Sequence, residues 1–235
     1  MEYRIGIDLG GTAIKMGVVD ENYNVLFKRS LPTAESFERA AGDMADCAER
    51  LAGEAGLELR RFRCAGMGVT GGINKQGLLI YSGNTTWADV SLKREMEKHF
   101  PIPVYIGNDA DCALIGESLA GAAKGYKNIV MLTLGTGVGG GIIIDGRLYS
   151  GDEYMSTEPG HFPLFHDGLS CGCGSRGCLE TYASASALVR QAEEAMTEHP
   201  ESSLCGAERA CGGLDGRIIF ECARQGDETA LAVID

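Results

Sequence analysis

Twenty residues, His161 to Glu180, read HFPLFHDGLSCGCGSRGCLE and gather Cys171, Cys173 and Cys178 within eight positions, with His161 ten residues upstream of the first. Gly172, Gly174 and Gly177 lie between and beside the thiols, so the backbone can fold tightly enough to aim several sulfurs at one point. Three sulfurs and one imidazole nitrogen complete a tetrahedron with no open position, which is the donor set of a structural zinc ion. A cluster of buried or redox-active thiols is the competing reading, and a Cys-x-Cys pair alone would not separate the two. The third cysteine, the glycines and the upstream histidine favour the metal. Such an ion would pin this stretch of backbone, and with it Glu158 and Glu180, which bracket the ligands.

The chain around this loop has 235 residues, enough for one large domain or two small ones with a substantial core. Its 44% apolar and 23% charged content is that of an ordinary soluble globular protein. A formal net charge of −12 disfavours nucleic acid and anionic membranes as partners. The 21 Lys and Arg residues are scattered, with Arg60, Arg61 and Arg63 the densest group. No basic-then-apolar leader opens the sequence, so no signal peptide is expected, and no run of apolar residues is long enough to span a membrane. Cys47, Cys64, Cys112, Cys205, Cys211 and Cys222 stand singly and read as small buried apolar residues rather than a disulfide framework. The expected compartment is the reducing cytoplasm.

Strand and helix signals interleave, which indicates an α/β fold. Arg4 to Asp8, Ile14 to Asp20 and Asn24 to Leu31 read as strands, and Ser36 to Ala55 as a helix stopped by Gly56. Cys64 to Val69 reads as a buried strand, Ser91 to Phe100 as a helix, Val104 to Gly107 as a strand and Asp109 to Ala123 as a helix with acidic residues at its positive end. Residues 128–134 and 141–145 are apolar strands around a glycine run, and Ala185 to Met196 and Arg217 to Arg224 are helical. An internal echo joins DLGGTAIKMGVV at 8–19 to TLGTGVGGGIII at 133–144, consistent either with two similar halves or with two ordinary glycine hairpins. Ala230 to Asp235 reads as the middle of an amphipathic helix, so the chain looks truncated at its C-terminus.

Glycine turns expose backbone N–H groups that can bind phosphate oxygens. Gly10, Gly11 and Thr12, with Lys15 nearby, form one candidate, and Gly135, Thr136 and Gly137 the other. Asp8 ends the first strand and is read either as a turn residue or as a magnesium contact. Gly135, Gly137 and Gly140 spell G-x-G-x-x-G, but a β-branched run follows instead of the helix that a dinucleotide fingerprint requires. Asn108-Asp109 sits where a strand meets a helix N-terminus, so Asp109 is either a helix cap or a carboxylate placed to accept the proton of a substrate hydroxyl. Asn84 and Trp87, in SGNTTW, offer an amide and an apolar face to a polar ligand, or belong to an ordinary loop. His99, His166 and His199 read as surface residues.

Taken together, DLGGTAIKMGVVD, GNDADCALIGE, LTLGTGVGGGIIIDG, EPGH and CGCGSRGCLE resemble the ROK family (repressors, open reading frames and sugar kinases) over essentially the whole chain. The resemblance implies an actin-like, hexokinase-like ATPase fold with two lobes around a cleft, here residues 1–106 and 107–235. It implies ATP-dependent phosphorylation of a hexose or amino-hexose, at the 6-hydroxyl, with Asp109 as general base. Asn108, Glu158, His161 and Glu180 would hydrogen-bond the sugar, and Gly71 and Asn84 would line the same pocket. The two glycine turns would hold the ATP phosphates with Mg2+, and His161 would ligate zinc beside Cys171, Cys173 and Cys178. TGGIN at 70–74 departs from the family's usual P-G-x-V-D, and STEPGH from its commoner AGEIGH. The family also continues into an adenosine-binding glycine motif and a final helix.

Two other readings accompany the kinase. A sugar-responsive regulator of the same family would carry an N-terminal helix-turn-helix, whereas seven residues precede Asp8 here. A truncated remnant would bind sugar and zinc without turnover. The expected partners are a small sugar and ATP, with no nucleic acid and no membrane, in a homodimer.

Overall fold

A computed structural model of the chain describes residues 2–82, 87, 89–150 and 157–235. The chain divides into two compact units, one of Met1–Met131 with Gly141–Thr157 and one of Leu132–Gly140 with Glu158–Asp235.

The first unit opens with strands β1 (Arg4–Leu9), β2 (Ala13–Val19) and β3 (Val25–Pro32) and helix α1 (Phe37–Glu54). Strand β4 (Ala65–Val69) is followed by the short strands β5 (Gly72–Ile73), β6 (Leu78–Tyr81) and β7 (Val90–Ser91). Helix α2 (Leu92–His99), strand β8 (Val104–Asn108) and helix α3 (Asp109–Ala120) come next. The main sheet has the order β3-β2-β1-β4-β8, antiparallel from β3 to β1 and parallel from β1 to β8. Alternation decides its faces. Ile5, Ile7, Leu9, Ile14, Met16 and Val18 are buried, while Gly6 and Asp8 point to the other side. Against the apolar face lies α1, started by the Ser36 cap and burying Phe37, Ala40, Ala41, Met44, Ala48 and Leu51 at helical spacing. Fully buried side chains such as Met44, Leu51 and Met67 each stabilise the fold by about 1.5–3 kcal/mol.

Strands β9 (Ile129–Leu134), β10 (Val138–Ile144) and β11 (Arg147–Tyr149) form a sheet in the order β11-β10-β9. The second unit continues with a 3-10 turn, Pro159–His161, then α4 (Glu180–Ala183), α5 (Ala185–Glu198), α6 (Ser203–Cys211), α7 (Gly216–Arg224) and α8 (Glu228–Ile234). Ala192, Leu204, Ile219, Cys222 and Ala230 form the core of these helices. No described helix is long and apolar enough to cross a membrane.

Several expectations change. The β5-β6-β7 sheet, β11, α4 and α6 were not legible in the sequence. Helix α3 stops at Ala120 because Glu117 turns its carboxylate back onto the Ala122 N–H at 2.7 Å beyond the Gly121 cap. Trp87 offers no open face: it is buried, donates Nε1–H to Glu35 O at 2.8 Å and meets the Phe37 ring edge-on. Of the six single cysteines only Cys222 is buried, Cys47, Cys64, Cys112 and Cys205 are partly buried, and Cys211, at the end of α6, is exposed.

Candidate active site and metal centre

Strand register builds the candidate site of the first unit. Asp8 faces Lys15 on β2 and Gly68 on β4, and Gly68 faces Gly107 on β8. Lys15, Asp8, Gly68 and Gly107 therefore form one row on one face of the sheet. The two glycines let the start of α3 approach. A Cβ at Gly68 would lie 3.4 Å from Asp109 Cα, and one at Gly107 would lie 3.1 Å from Cys112 Sγ. Lys15 Nζ donates to Asp8 Oδ2 at 3.3 Å, with both side chains exposed, so the pair contributes little and both groups remain open to a ligand. Burial, followed by the carboxylates of Asp111, Asp109 and Asp8, pushes the Cys112 thiol up to about 11. Cys112 is thus a neutral thiol at physiological pH, and three carboxylates converge around the first turn of α3.

The helix cap belongs to Asn108, not to Asp109. Asn108 Oδ1 accepts from Ala110 N at 2.9 Å and Asp111 N at 3.2 Å, and its Nδ2 donates to Gly71 O at 3.4 Å. Asp109 Oδ1 accepts from Ala110 N at 2.9 Å, and Oδ2 from the Thr70 hydroxyl at 2.7 Å. Each carboxylate oxygen has two acceptor sites, so each keeps one for a proton or a ligand hydroxyl. Sequence reasoning noted Thr70 only as a departure from a pattern; its contact with Asp109 depends on strand register.

Both glycine turns are three-residue connections between neighbouring strands, residues 10–12 and 135–137. In the first, Gly10 N donates to Ala13 O at 3.1 Å, while Thr33 Oγ1 and N donate to Gly10 O at 2.7 Å and Thr12 O at 3.1 Å. In the second, Gly135 N donates to Gly137 O at 2.9 Å, Ala185 N to Gly135 O at 2.8 Å and Ser186 Oγ to Thr136 O at 2.9 Å. Tying down the carbonyls fixes the peptide planes, as a set of phosphate-binding N–H groups requires. A strand directly follows Gly137, so the G-x-G-x-x-G run lacks a dinucleotide-site context.

The second unit carries the candidate metal centre. Cys171 N donates to Ser175 O at 2.9 Å and Gly174 N to Cys171 O at 3.1 Å, closing a knuckle whose Gly174 has φ +90°. A tetrahedral zinc ion with bonds of about 2.3 Å to sulfur and about 2.05 Å to nitrogen spaces its ligand atoms about 3.6–3.8 Å apart. Cys173 Sγ and Cys178 Sγ are 3.7 Å apart, as are Cys171 Sγ and His161 Nδ1, and the ligand atoms of all four residues lie within 4.8 Å of one another. These residues fit a closed zinc site.

Glu180 stands beside it. Its Oε1 is 3.9 Å from Cys171 Sγ, and its Oε2 accepts from Val138 N at 3.0 Å, directly after the second glycine turn. That link across 42 positions left no trace in the sequence. Glu158, three residues before His161, has the left-handed angles φ +41°, ψ +53° immediately before a proline. A non-glycine residue there costs about 1–3 kcal/mol and is held by its surroundings. Gly71 is buried beside Asn108, and Asn84 lies outside the described residues.

A family model described as the ROK family matches residues 4–235. Glucokinase from Streptomyces coelicolor is 39% identical over 235 residues, which cover 98% of this chain and 73% of that protein. Glucokinase from Thermotoga maritima is 36% identical, with 98% and 73% covered. Among solved structures, the ROK family glucokinase from Streptomyces griseus in complex with glucose and AMPPNP is 37% identical, with a TM-score of 0.81 over 98% of this chain and 74% of that one. The ROK hexokinase from Thermus thermophilus gives 33% identity and a TM-score of 0.79 over 99% and 72%. The fold is thus the mixed α/β, actin-like and hexokinase-like architecture of these kinases, and the chain belongs to the ROK family.

Proposed function

We propose that this chain transfers the γ-phosphoryl group of ATP to a hexose or amino-hexose, at the 6-hydroxyl, with Asp109 as general base. Its glucokinase relatives make it a sugar kinase; the regiochemistry, the base and the metals are our reading. The observation that carries it is the state of Asp109. Asn108 caps the helix, which leaves the Asp109 carboxylate oriented by Thr70 and Ala110 with an acceptor site open on each oxygen.

In the reaction, Asp109 takes the hydroxyl proton as the sugar oxygen attacks the γ-phosphorus, and the bond to the β–γ bridging oxygen breaks to release ADP. Asn108, Glu158, His161 and Glu180 hold the sugar hydroxyls, with Gly71 and Asn84 lining the pocket. The turns Gly10-Gly11-Thr12 and Gly135-Thr136-Gly137, with Lys15, bind the phosphates, Gly10 and Gly135 closing the turns through their own N–H groups and the residues after them facing the ligand. Asp8, an exposed carboxylate in the row that reaches Asp109, suits a hexahydrated ion that keeps most of its waters, and Mg2+ bound there would neutralise phosphate charge. His161, Cys171, Cys173 and Cys178 would hold a zinc ion, which would fix the loop that presents His161 and Glu180 without taking part in the chemistry. The change of lobe falls between residues 106 and 107. A homodimer in the cytoplasm that binds no nucleic acid completes the reading, the net charge of −12 supporting the absence of nucleic acid and the free thiols the compartment.

A coupled ADP-release assay with Mg-ATP over a panel of hexoses and amino-hexoses tests it, with the product's phosphate position read by NMR. Turnover giving a 6-phosphate is expected. Sugar binding without turnover refutes the proposal.

A further inference from the structure

We infer that Thr70 is a positioning residue for the phosphoryl transfer, orienting the Asp109 carboxylate through a hydrogen bond from its hydroxyl. The inference rests on Asp109 as the base and goes beyond it, because it gives a chemical task to a position where the family pattern usually has proline.

The placement follows from the sheet. β4 and β8 run parallel in the register Val69↔Asn108, so the residues just past the two strand ends, Thr70 and Asp109, emerge side by side. The Thr70 hydroxyl donates to Asp109 Oδ2 at 2.7 Å between two half-buried side chains. One residue further, Gly71 O accepts from Asn108 Nδ2 at 3.4 Å, so side chains continue the contact between the two strands past the end of the backbone ladder. Asp109 is then gripped from both sides, with Ala110 N–H on Oδ1 at 2.9 Å and Thr70 O–H on Oδ2. A carboxylate rotates easily about its last bond. Two donors on opposite oxygens fix the plane, and with it the direction of the acceptor sites left for the sugar hydroxyl. A proline at position 70 has no donor, so Asp109 there would need another source of orientation.

Two substitutions separate this task from a packing role. Thr70→Val keeps the branched shape and removes the donor, while Thr70→Ser keeps the donor and removes a methyl group. With hexose and Mg-ATP, Thr70→Val is expected to lower kcat about tenfold, the usual scale for one hydrogen bond to a charged group. Its hexose Kd, measured without nucleotide, should stay within about twofold of the unaltered protein, since the effect falls on orientation in the transition state. Thr70→Ser should recover most of kcat. A packing role predicts the reverse order, with valine tolerated and serine impaired. Asp109→Asn, measured alongside, tells the two failures apart. An inactive Asp109→Asn beside a Thr70→Val protein at full kcat overturns the inference and leaves the base intact. Turnover that survives Asp109→Asn, or is absent from the unaltered chain, overturns both.

Discussion

Gly160, with Pro159, separates Glu158 from His161, and replacing it with alanine should disable the protein through a clash that can be measured on the structure. A Cβ at this position would lie 1.8 Å from Val138 O, 2.8 Å from Val138 C and 3.0 Å from Val138 Cβ. Carbon–oxygen contacts close to about 3.3 Å, so the turn and the strand must separate by about 1.5 Å. Neither side yields cheaply. Val138 opens β10, and its N–H is held by Glu180 at 3.0 Å. The displacement therefore falls on Pro159–His161, and so on a proposed zinc ligand that is also a proposed sugar contact. A shift of about 1 Å in a positioning element costs on the order of 100-fold in rate, so kcat/KM for the hexose should fall about 100-fold. Overpacking of this kind also costs about 1–3 kcal/mol of stability, which a thermal melt will register. The control is Gly172→Ala in the same loop, where an added Cβ meets nothing within 4 Å. The coupled ADP-release assay compares both variants, with zinc content measured in parallel. A Gly160→Ala protein with kcat/KM within about threefold of the unaltered chain and full zinc refutes the reasoning.

Other predictions follow from the metal centre and the helical core. Cys173→Ser should lose zinc and weaken hexose binding by at least about tenfold, the scale set by residues that orient metal ligands; unchanged zinc content with unchanged affinity contradicts the scaffold role. Asp227 caps α8 through Ala230 N at 2.8 Å and also accepts from Ser203 N at 2.7 Å, so Asp227→Ala should cost about 2 kcal/mol in a denaturant titration. Burial pushes the Asp227 carboxyl up, but the bonds from Ala230, Ser203 and Ser202 outweigh it and hold it below its ordinary value. A lowered folded-state value means that this stabilisation is complete above about pH 4 and is lost as the pH falls through the folded-state value. The unaltered protein should therefore lose stability below pH ~4 more steeply than Asp227→Asn, and parallel pH–stability curves would count against the capping account.

What the sequence made legible was local. Helix α1, expected over Ser36–Ala55, runs Phe37–Glu54, because a serine cap and a helical apolar period act within the segment itself. The strand–turn–strand pattern at both glycine turns and the clustering of His161 with Cys171, Cys173 and Cys178 were readable for the same reason. The β5-β6-β7 sheet was not. Two of its strands have two residues, too few to show alternation. Helix α6 hid in SLCGAERAC, where only Leu204 is buried and no apolar stripe forms. The contacts that give the site its chemistry, Thr70 with Asp109 and Glu180 with Val138, join residues 39 and 42 positions apart. They follow from strand register and loop packing, which no short window of sequence encodes.

In the proposed reaction Asp109 takes the proton while other residues hold the sugar. Rapid-quench single turnovers of unaltered and Asp109→Asn protein with a bound hexose, beside hexose affinity from calorimetry, test it most directly. A general base contributes about 10²–10⁴-fold, so the chemical step should slow by at least about 100-fold while hexose Kd changes by no more than a few-fold. An Asp109→Asn protein that phosphorylates the sugar within about tenfold of the unaltered rate would contradict the account.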